Sequence, residues 1–289
     1  MSRGKHFQRK RHTKLFAVLV LLALLTAYPF YEAYHLRQED ITLEIADLPA
    51  DLNGLRIVFI SDIHAGPFFS ARRVWNLVHR INALNADIIL LGGDYAEDTD
   101  GAVRFFQEAP AFSARLLTAG VVGHHDRMER NATLNQLQSA MVAANVVPLV
   151  NNMINLPLGE AKLTIAGIDD YTLGSPDVSG VARRTKAEEF VIFLTHNPGA
   201  LPEANAALNQ DGLPRWYNLA LCGYTHGGQV NFFGRPLIEE FRMTESRYLS
   251  GWIEENRVPI LISNGVGTSY FPVRFAARPM IHLITLKRK

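Results

Sequence analysis

The sequence predicts an α/β fold behind an apolar N-terminal segment, and three observations carry that prediction. Short, wholly apolar runs alternate with stretches of helical period through the first half of the chain. Strand-like segments with little helical period follow to the C-terminus. Five of the apolar runs also share one grammar, in that each ends in Asp, His or Gly: Ile57–His64, Ile88–Asp94, Val121–Asp126, Val191–His196 and Leu219–His226.

The chain has 289 residues, 48% hydrophobic and 20% charged, which is enough for a full core and excludes a disordered class. Cys222 is the single cysteine, so neither a disulfide framework nor a thiolate metal cluster is available. The net charge of +1 hides an asymmetry. Residues 1–14 hold six Lys/Arg and no acid, which leaves 23 basic against 28 acidic residues in the body. A mildly acidic body argues against nucleic acid as a partner.

The elements follow in order. Residues 1–14 read as a basic cytoplasmic tail and residues 15–34 as a transmembrane signal anchor. Leu15 to Tyr31 is 17 residues without a charge, roughly 25 Å as a helix against a hydrocarbon core of about 30 Å. Lys14 can snorkel, and Tyr28, Tyr31 and Tyr34 suit the far interface. A cleaved signal peptide is the alternative, but no A-x-A site follows the run. The positive tail places the rest of the chain outside the cytoplasm, which in a bacterium means a single-pass inner-membrane protein with a periplasmic body.

Residues 35–41 read as a polar linker, and residues 42–289 as one domain opening on an edge strand, Thr42–Leu48. Leu55–Ser61 is a buried strand after the turn signal Asn53-Gly54. Ser70 is placed to cap a helix reaching Asn85, with Val74, Leu77, Val78, Ile81 and Leu84 on one face. Asp87–Leu91 is a strand, Val103–Ser113 a helix, Leu116–Val122 a strand and Glu129–Ala144 a helix. Asn152–Leu158 and Lys162–Ile168 form a hairpin across Gly159-Glu160. Phe190–Leu194, Leu219–Cys222, Ile260–Ser263 and Ile281–Leu286 are further strands.

In an α/β sheet, functional groups gather beyond the carboxyl ends of the strands. Asp62, His64, Asp94, His124, His125, His196 and His226 all stand there. Mixed carboxylate and imidazole donors suit Mn, Fe, Zn or Co rather than calcium. With Asp94 shared, they suffice for two ions, an arrangement that clamps a phosphoryl group. One isolated Asp or His at a strand end is ordinarily a cap or a satisfied polar residue. Five coincident strand ends argue for a site.

The order Asp62-x-His64, Gly93-Asp94, Gly123-x-His125-Asp126, His196 and Gly223-x-Thr225-His226 resembles the calcineurin-like metallophosphoesterase family, from about Leu43 to Leu286. Thr225-His226-Gly227-Gly228-Gln229 and the tail Gly265–Ser269 with Pro272–Phe275 are similar to its membrane-associated bacterial branch. That branch includes hydrolases of phosphodiesters and of the pyrophosphate in a nucleotide-linked lipid A precursor. The resemblance implies a sandwich of two β-sheets flanked by helices, and attack on phosphorus by a metal-bound hydroxide. It implies one metal on Asp62, His64, His226 and Asp94, and a second on Asp94, His196 and positions 124 and 224. It also gives His125, oriented by Asp126, the protonation of the leaving oxygen. The family carries Asn where this chain has His124, and His where it has Tyr224. Asn197 follows His196 and is a candidate for supporting that ligand, whereas Glu97 and Asp98 read as solvated loop acids. His79 and His282 are assigned to no site.

The expected function is metal-dependent hydrolysis of a phosphoester, phosphodiester or pyrophosphate on a membrane-associated or lipid-linked substrate. The alternative is a binding protein of the same fold, weakened by the departures at His124 and Tyr224. A peptidase of the H-E-x-x-H type is disfavoured because no such stretch exists.

Overall fold

The computed structural model describes residues 3–243 and 245–289, with the side chains of residues 1–13 and of Glu240 outside that description. The basic side chains expected before Leu15 therefore lie outside the described residues, apart from Lys14.

Two six-stranded sheets are stacked face to face. The first is built from β1 (Arg37–Ile45), β2 (Arg56–Ile60), β3 (Ile88–Leu91), β4 (Leu117–Gly120), β5 (Val147–Pro148) and β14 (Met280–Arg288), in the order β1-β14-β2-β3-β4-β5. The second takes β6 (Asn152–Leu158), β7 (Ala161–Gly167), β8 (Phe190–Thr195), β9 (Leu219–Cys222), β12 (Gly251–Glu255) and β13 (Val258–Ile262), in the order β12-β13-β9-β8-β7-β6. A short antiparallel ribbon, β10 (Asn231–Phe232) with β11 (Arg235–Pro236), stands apart from both.

Burial follows from the sequence pattern. Apart from Arg56 at the start of β2 the central strands are buried and almost wholly apolar on both faces, as expected of parallel strands covered on each side. Phe59, Leu90, Ile192 and Leu221 meet between the sheets. Helices α2 (Ala71–Asn82), α3 (Thr99–Glu108) and α4 (Leu134–Ala143) cover the outer face of the first sheet. Helices α5 (Val178–Ala182) and α6 (Leu201–Ala206) cover that of the second. The predicted two-sheet α/β sandwich is the fold.

Several boundaries differ from the sequence reading. Residues 37–41 are not a linker: they open β1, which runs parallel to β14 from Arg37↔Met280 to Ile45↔Arg288. The polar run Gln38–Asp40 hides the strand, because its partner lies at the far end of the chain. Glu39 Oε2 meets His282 Nδ1 at 3.0 Å across that pairing. Helix α3 begins four residues earlier than expected, where Asp98 Oδ1 accepts the Gly101 N–H at 2.8 Å, and stops ahead of Pro110. Helix α4 starts at Leu134 behind a capping box of Thr133 and Gln136. Ser70 precedes α2 without a side-chain cap bond.

Helix α1 (Arg3–Tyr34) is long and apolar enough over Lys14–Tyr34 to cross a membrane. Its side chains from Leu15 to Tyr31 are almost all exposed, whereas Glu32 and Ala33 are buried against the domain. Pro29 O accepts the Arg274 N–H at 2.9 Å, and Glu32 Oε1 accepts the Ala277 N–H at 2.8 Å. Strands β1 and β14 both leave this junction, side by side. Because β14 is antiparallel to β2, with His282 opposite Phe59, the carboxyl ends of β2, β3 and β4 lie at the end of the sandwich where α1 docks.

Candidate metal centre

Each predicted ligand sits in the first residues past a strand. Asp62 and His64 follow β2, Asp94 follows β3, His124 and His125 follow β4, His196 follows β8, and Tyr224 and His226 follow β9. The ends of both sheets converge, so the cluster straddles the sandwich. The loops are laced together by backbone: Asp62 N–H donates to Gly93 O at 2.9 Å, His64 N–H to Asp94 O at 3.0 Å and Gly223 N–H to His196 O at 2.9 Å.

The turns are tight enough to leave ordinary conformational space. Asp62 (φ 52°), His64 (48°), Asp94 (54°), Tyr224 (75°) and His226 (51°) are all left-handed, at an order of 1–3 kcal/mol each for a residue that is not glycine. Such strain persists only where surroundings fix it, and it is a mark of functional sites. Two glycines make the turn after β3 possible. Gly93 is left-handed (φ 88°), and a Cβ on Gly123 would collide with the Asp94 carboxylate.

Asp94 is the centre of the cluster. Its Oδ1 accepts the His125 backbone N–H at 2.9 Å. Its Oδ2 is buried and has no hydrogen-bond partner, yet lies 3.2 Å from His124 Nδ1, 3.4 Å from His196 Nε2 and 3.6 Å from His64 Nε2. The Nε2 atoms of His64 and His226 face one another at 3.0 Å, and Asp62 Oδ1 lies 3.6 Å from His226 Nε2. Asp62 Oδ2 is a second buried oxygen without a hydrogen-bond partner. Buried carboxylate oxygens are normally satisfied. Oxygens left bare while imidazole nitrogens crowd around them are what two cations would complete. Three donor groups meet that geometry: Asp62, His64 and His226; His64, Asp94 and His125; Asp94, His124 and His196. The residues therefore fit divalent metals, and Asp94 belongs to two of the three groups.

The electrostatics reflect how closely these groups are packed. Burial works against ionising Asp94, but His196 and His124 beside it hold its carboxyl well below the usual range. Burial also works against charging His196, and the Asp94 charge overcomes it and raises the imidazole. His226 is driven well below its ordinary value by burial, then by His64 and Arg274. That keeps it in the neutral form a metal ligand requires.

Tyr224 enters the cluster differently. Its backbone N–H donates to Asp62 Oδ1 at 3.0 Å, and its ring packs edge-on against His124 and His196, with centroids 5.3 and 5.6 Å away. Asp126 does not orient the His125 ring as the sequence suggested. Its carboxylate is taken up by the backbone N–H groups of Asp94, Tyr95 and Gly123, at 2.8, 3.0 and 2.9 Å. Asp126 thus ties the turn after β3 to the turn after β4. The His125 ring instead meets the Glu97 carbonyl at 3.2 Å, with the Glu97 carboxylate 4.0 Å away. Glu97 is not a solvated acid either: its Oε1 lies 3.2 Å from His64 Nδ1. Asn197 caps the turn at residues 198–200 and holds Thr172. His79 stacks on Trp75 at the surface of α2, and His282 is engaged by Glu39 and Ser263.

Arg274 is a second residue at the cluster that the sequence reading did not assign. It is wholly buried, with Nη2 3.2 Å from His226 Nδ1 and 2.6 Å from Gly267 O, and Nη1 2.7 Å from Asn264 O and 2.8 Å from Ala277 O. The only hint lay in the tail motif Pro272–Phe275 that contains it.

A two-sheet sandwich with carboxylates and imidazoles converging on shared oxygens defines the metal-dependent phosphoesterase class. The calcineurin-like phosphoesterase family model matches residues 55–230, and the chain belongs to that family. It is a phosphoester hydrolase that uses divalent metal. It is 28% identical to the uncharacterized metallophosphoesterase YkuE of Bacillus subtilis, over 89% of this chain and 88% of that one. An uncharacterized metallophosphoesterase of Aquifex aeolicus is 26% identical over 94% of this chain and 99% of its own. A Danio rerio protein named "transmembrane protein with metallophosphoesterase domain" is 27% identical over 93% of this chain and 62% of its own.

Proposed function

We propose that the chain hydrolyses a phosphodiester or pyrophosphate bond of a membrane-associated or lipid-linked substrate, at a two-metal centre bridged by Asp94, from a membrane anchor that leaves the domain outside the cytoplasm. The observation that carries the two-metal reading is the bare, buried Asp94 Oδ2 with three imidazole nitrogens within 3.6 Å. Asp62, His64 and His226 would hold one ion, His124 and His196 the other, and Asp94 both. Bound there, divalent ions would polarise the phosphoryl oxygens and lower the pKa of water.

The chain's own residues do the rest. The His125 ring lies edge-on to His64 with centroids 4.9 Å apart. It is the group placed to hold and deliver a proton to the departing oxygen. The Glu97 carbonyl at Nδ1 fixes that ring, leaving Nε2 for the substrate side. The anchor reading is supported by α1, by the position of the strand ends beside its docking point, and by the name of the Danio rerio relative.

The test is metal content alongside hydrolysis of bis-p-nitrophenyl phosphate. Asp94→Ala is expected to lose both activity and most bound metal, as stripping the wild type with chelator should lose activity. Wild-type turnover with full metal content in that variant would sink the shared-ligand reading.

One observation favours a second reading, a site weakened at its second metal. The Asp94, His124 and His196 group has three donors, and the position the family fills with a fourth carries Tyr224, whose neutral phenol is a poor donor to a divalent ion. The double variant His124→Asn with Tyr224→His then raises metal content toward two per chain together with turnover. Unchanged occupancy and rate would show that the present ligands already suffice.

A further inference from the structure

Outside α1, several exposed large apolar side chains lie on two loops that adjoin the metal centre. The loop leaving His226 runs into the β10–β11 ribbon, where Phe232 is 43% exposed, Phe233 at the turn is fully exposed, and Leu237 is 62% exposed. The facing loop carries Phe271, 61% exposed. Gln229 clamps the two loops together: its Nε2 donates to Ser269 O at 2.7 Å and Phe271 O at 3.2 Å, and its Oε1 accepts the Ser269 N–H at 2.9 Å. Scattered exposed apolar residues need no explanation, but a set gathered on two loops clamped to each other marks an interaction surface.

What covers this surface follows from its neighbour. The Phe232 ring stacks on Phe275 at 4.8 Å, and Phe275 meets Tyr28 of α1 edge-on at 6.0 Å. Phe275 also sits one residue past the backbone that hydrogen-bonds Pro29. The ribbon thus stands beside α1 at the tyrosine-rich end of its apolar run, where a spanning helix passes through the headgroup layer. Exposed Arg235 and Arg278 flank it, and aromatic residues mixed with arginine are the composition that interfacial elements use.

We infer that the β10–β11 ribbon and the Phe271 loop insert into the headgroup region of the same bilayer that α1 crosses, so that the metal centre opens onto the membrane surface. The inference rests on the anchor reading above. It narrows the substrate to a phosphoester whose apolar part stays in the bilayer while its phosphate reaches Asp94 without leaving the interface.

The test uses the full chain in nanodiscs of phosphatidylethanolamine and phosphatidylglycerol. A nitroxide is placed in turn at Phe233→Cys, Phe271→Cys, Val20→Cys and Leu213→Cys; Cys222 is fully buried and does not compete for label. Leu213 is the remote control. Its neighbour Arg215 pairs with Asp47, past the far end of β1, whose nine residues put it roughly 30 Å from α1. Collision with oxygen relative to a water-soluble nickel chelate should be several-fold higher at positions 233 and 271 than at 213, and highest at 20. Labels at 233 and 271 matching 213 while 20 stays lipid-like would overturn the inference and leave the anchor intact. A water-like label at 20 would overturn the anchor reading, and this inference with it. Spin–spin broadening between labels at 233 would make the surface a contact between two copies of the chain, and would also overturn it.

Discussion

At the scale of single residues, the cluster separates groups placed to hold metal from groups placed to position or assist them. His125 has a backbone carbonyl at Nδ1, so its ring is positioned without depending on an ion. Glu97 is bound to His64 Nδ1, the position from which a carboxylate fixes the tautomer of a metal-binding imidazole. The two residues should fail differently. His125→Ala is expected to keep nearly full metal content while turnover falls roughly 100- to 10,000-fold. Glu97→Ala is expected to weaken metal binding on the order of 10- to 100-fold, with turnover recovering as metal is added, and Glu97→Gln to recover part of the loss by keeping an acceptor at Nδ1. Metal titrations followed by calorimetry and by rate separate these outcomes. Loss of metal in His125→Ala would make that residue a ligand, consistent with its place in the His64 and Asp94 group.

At the scale of elements, β1 and β14 form the first sheet's outer pair, and Glu39 clasps them by meeting His282. The His282 hydrogen bond, opposed by burial and helped by the charges of His282 and Arg37, holds the Glu39 carboxyl below its ordinary value of 4.5. A folded pKa below the unfolded one means the clasp is fully present above the unfolded pKa and is lost as pH falls through the folded one. Glu39→Gln should therefore lower the melting temperature at pH 7 and nearly converge with wild type near pH 3. A constant difference across that range would show that the pair contributes through packing alone. This clasp also shows where the sequence stops being legible. The ligands could be read because each follows a continuous apolar run, so local pattern marks both strand and tip. Glu39, Glu97 and Arg274 could not, because the partner of each lies 243, 33 or 48 residues away. For Asp126 the position could be read but not the orientation: carboxylate and neighbouring ring are adjacent in the chain, and the carboxylate turns instead to backbone N–H groups. The β10–β11 ribbon and β12 carry too few residues of regular alternation to announce themselves.

At the scale of the whole molecule, helix α1 is not merely attached to the domain. The last turns of α1 supply Pro29 O and the Glu32 carboxylate to the backbone of residues 274–277. Arg73 stacks on Tyr34 and Phe69 while its Nη2 donates to Ala33 O at 3.1 Å. Between those contacts and the metal centre stands Arg274, whose backbone N–H is held by α1 and whose guanidinium reaches His226. A chain beginning at Arg37 keeps every strand and every candidate ligand but removes those acceptors, exposing the Arg274 and Ala277 N–H groups and part of the Arg274 cavity to water. A chain beginning at residue 27 removes most of the apolar run and keeps the junction. The shorter chain is expected to melt several degrees lower than the longer one, since each net hydrogen bond contributes about 1 kcal/mol and that shifts the midpoint of a domain this size by about 2–4 °C. It is also expected to bind metal more weakly, because the residue beside His226 is no longer fixed. Melting and metal titration of the two soluble chains, side by side, measure both. Equal stability and equal metal affinity would mean that α1 acts as a tether alone, and that the centre is organised entirely by the two sheets.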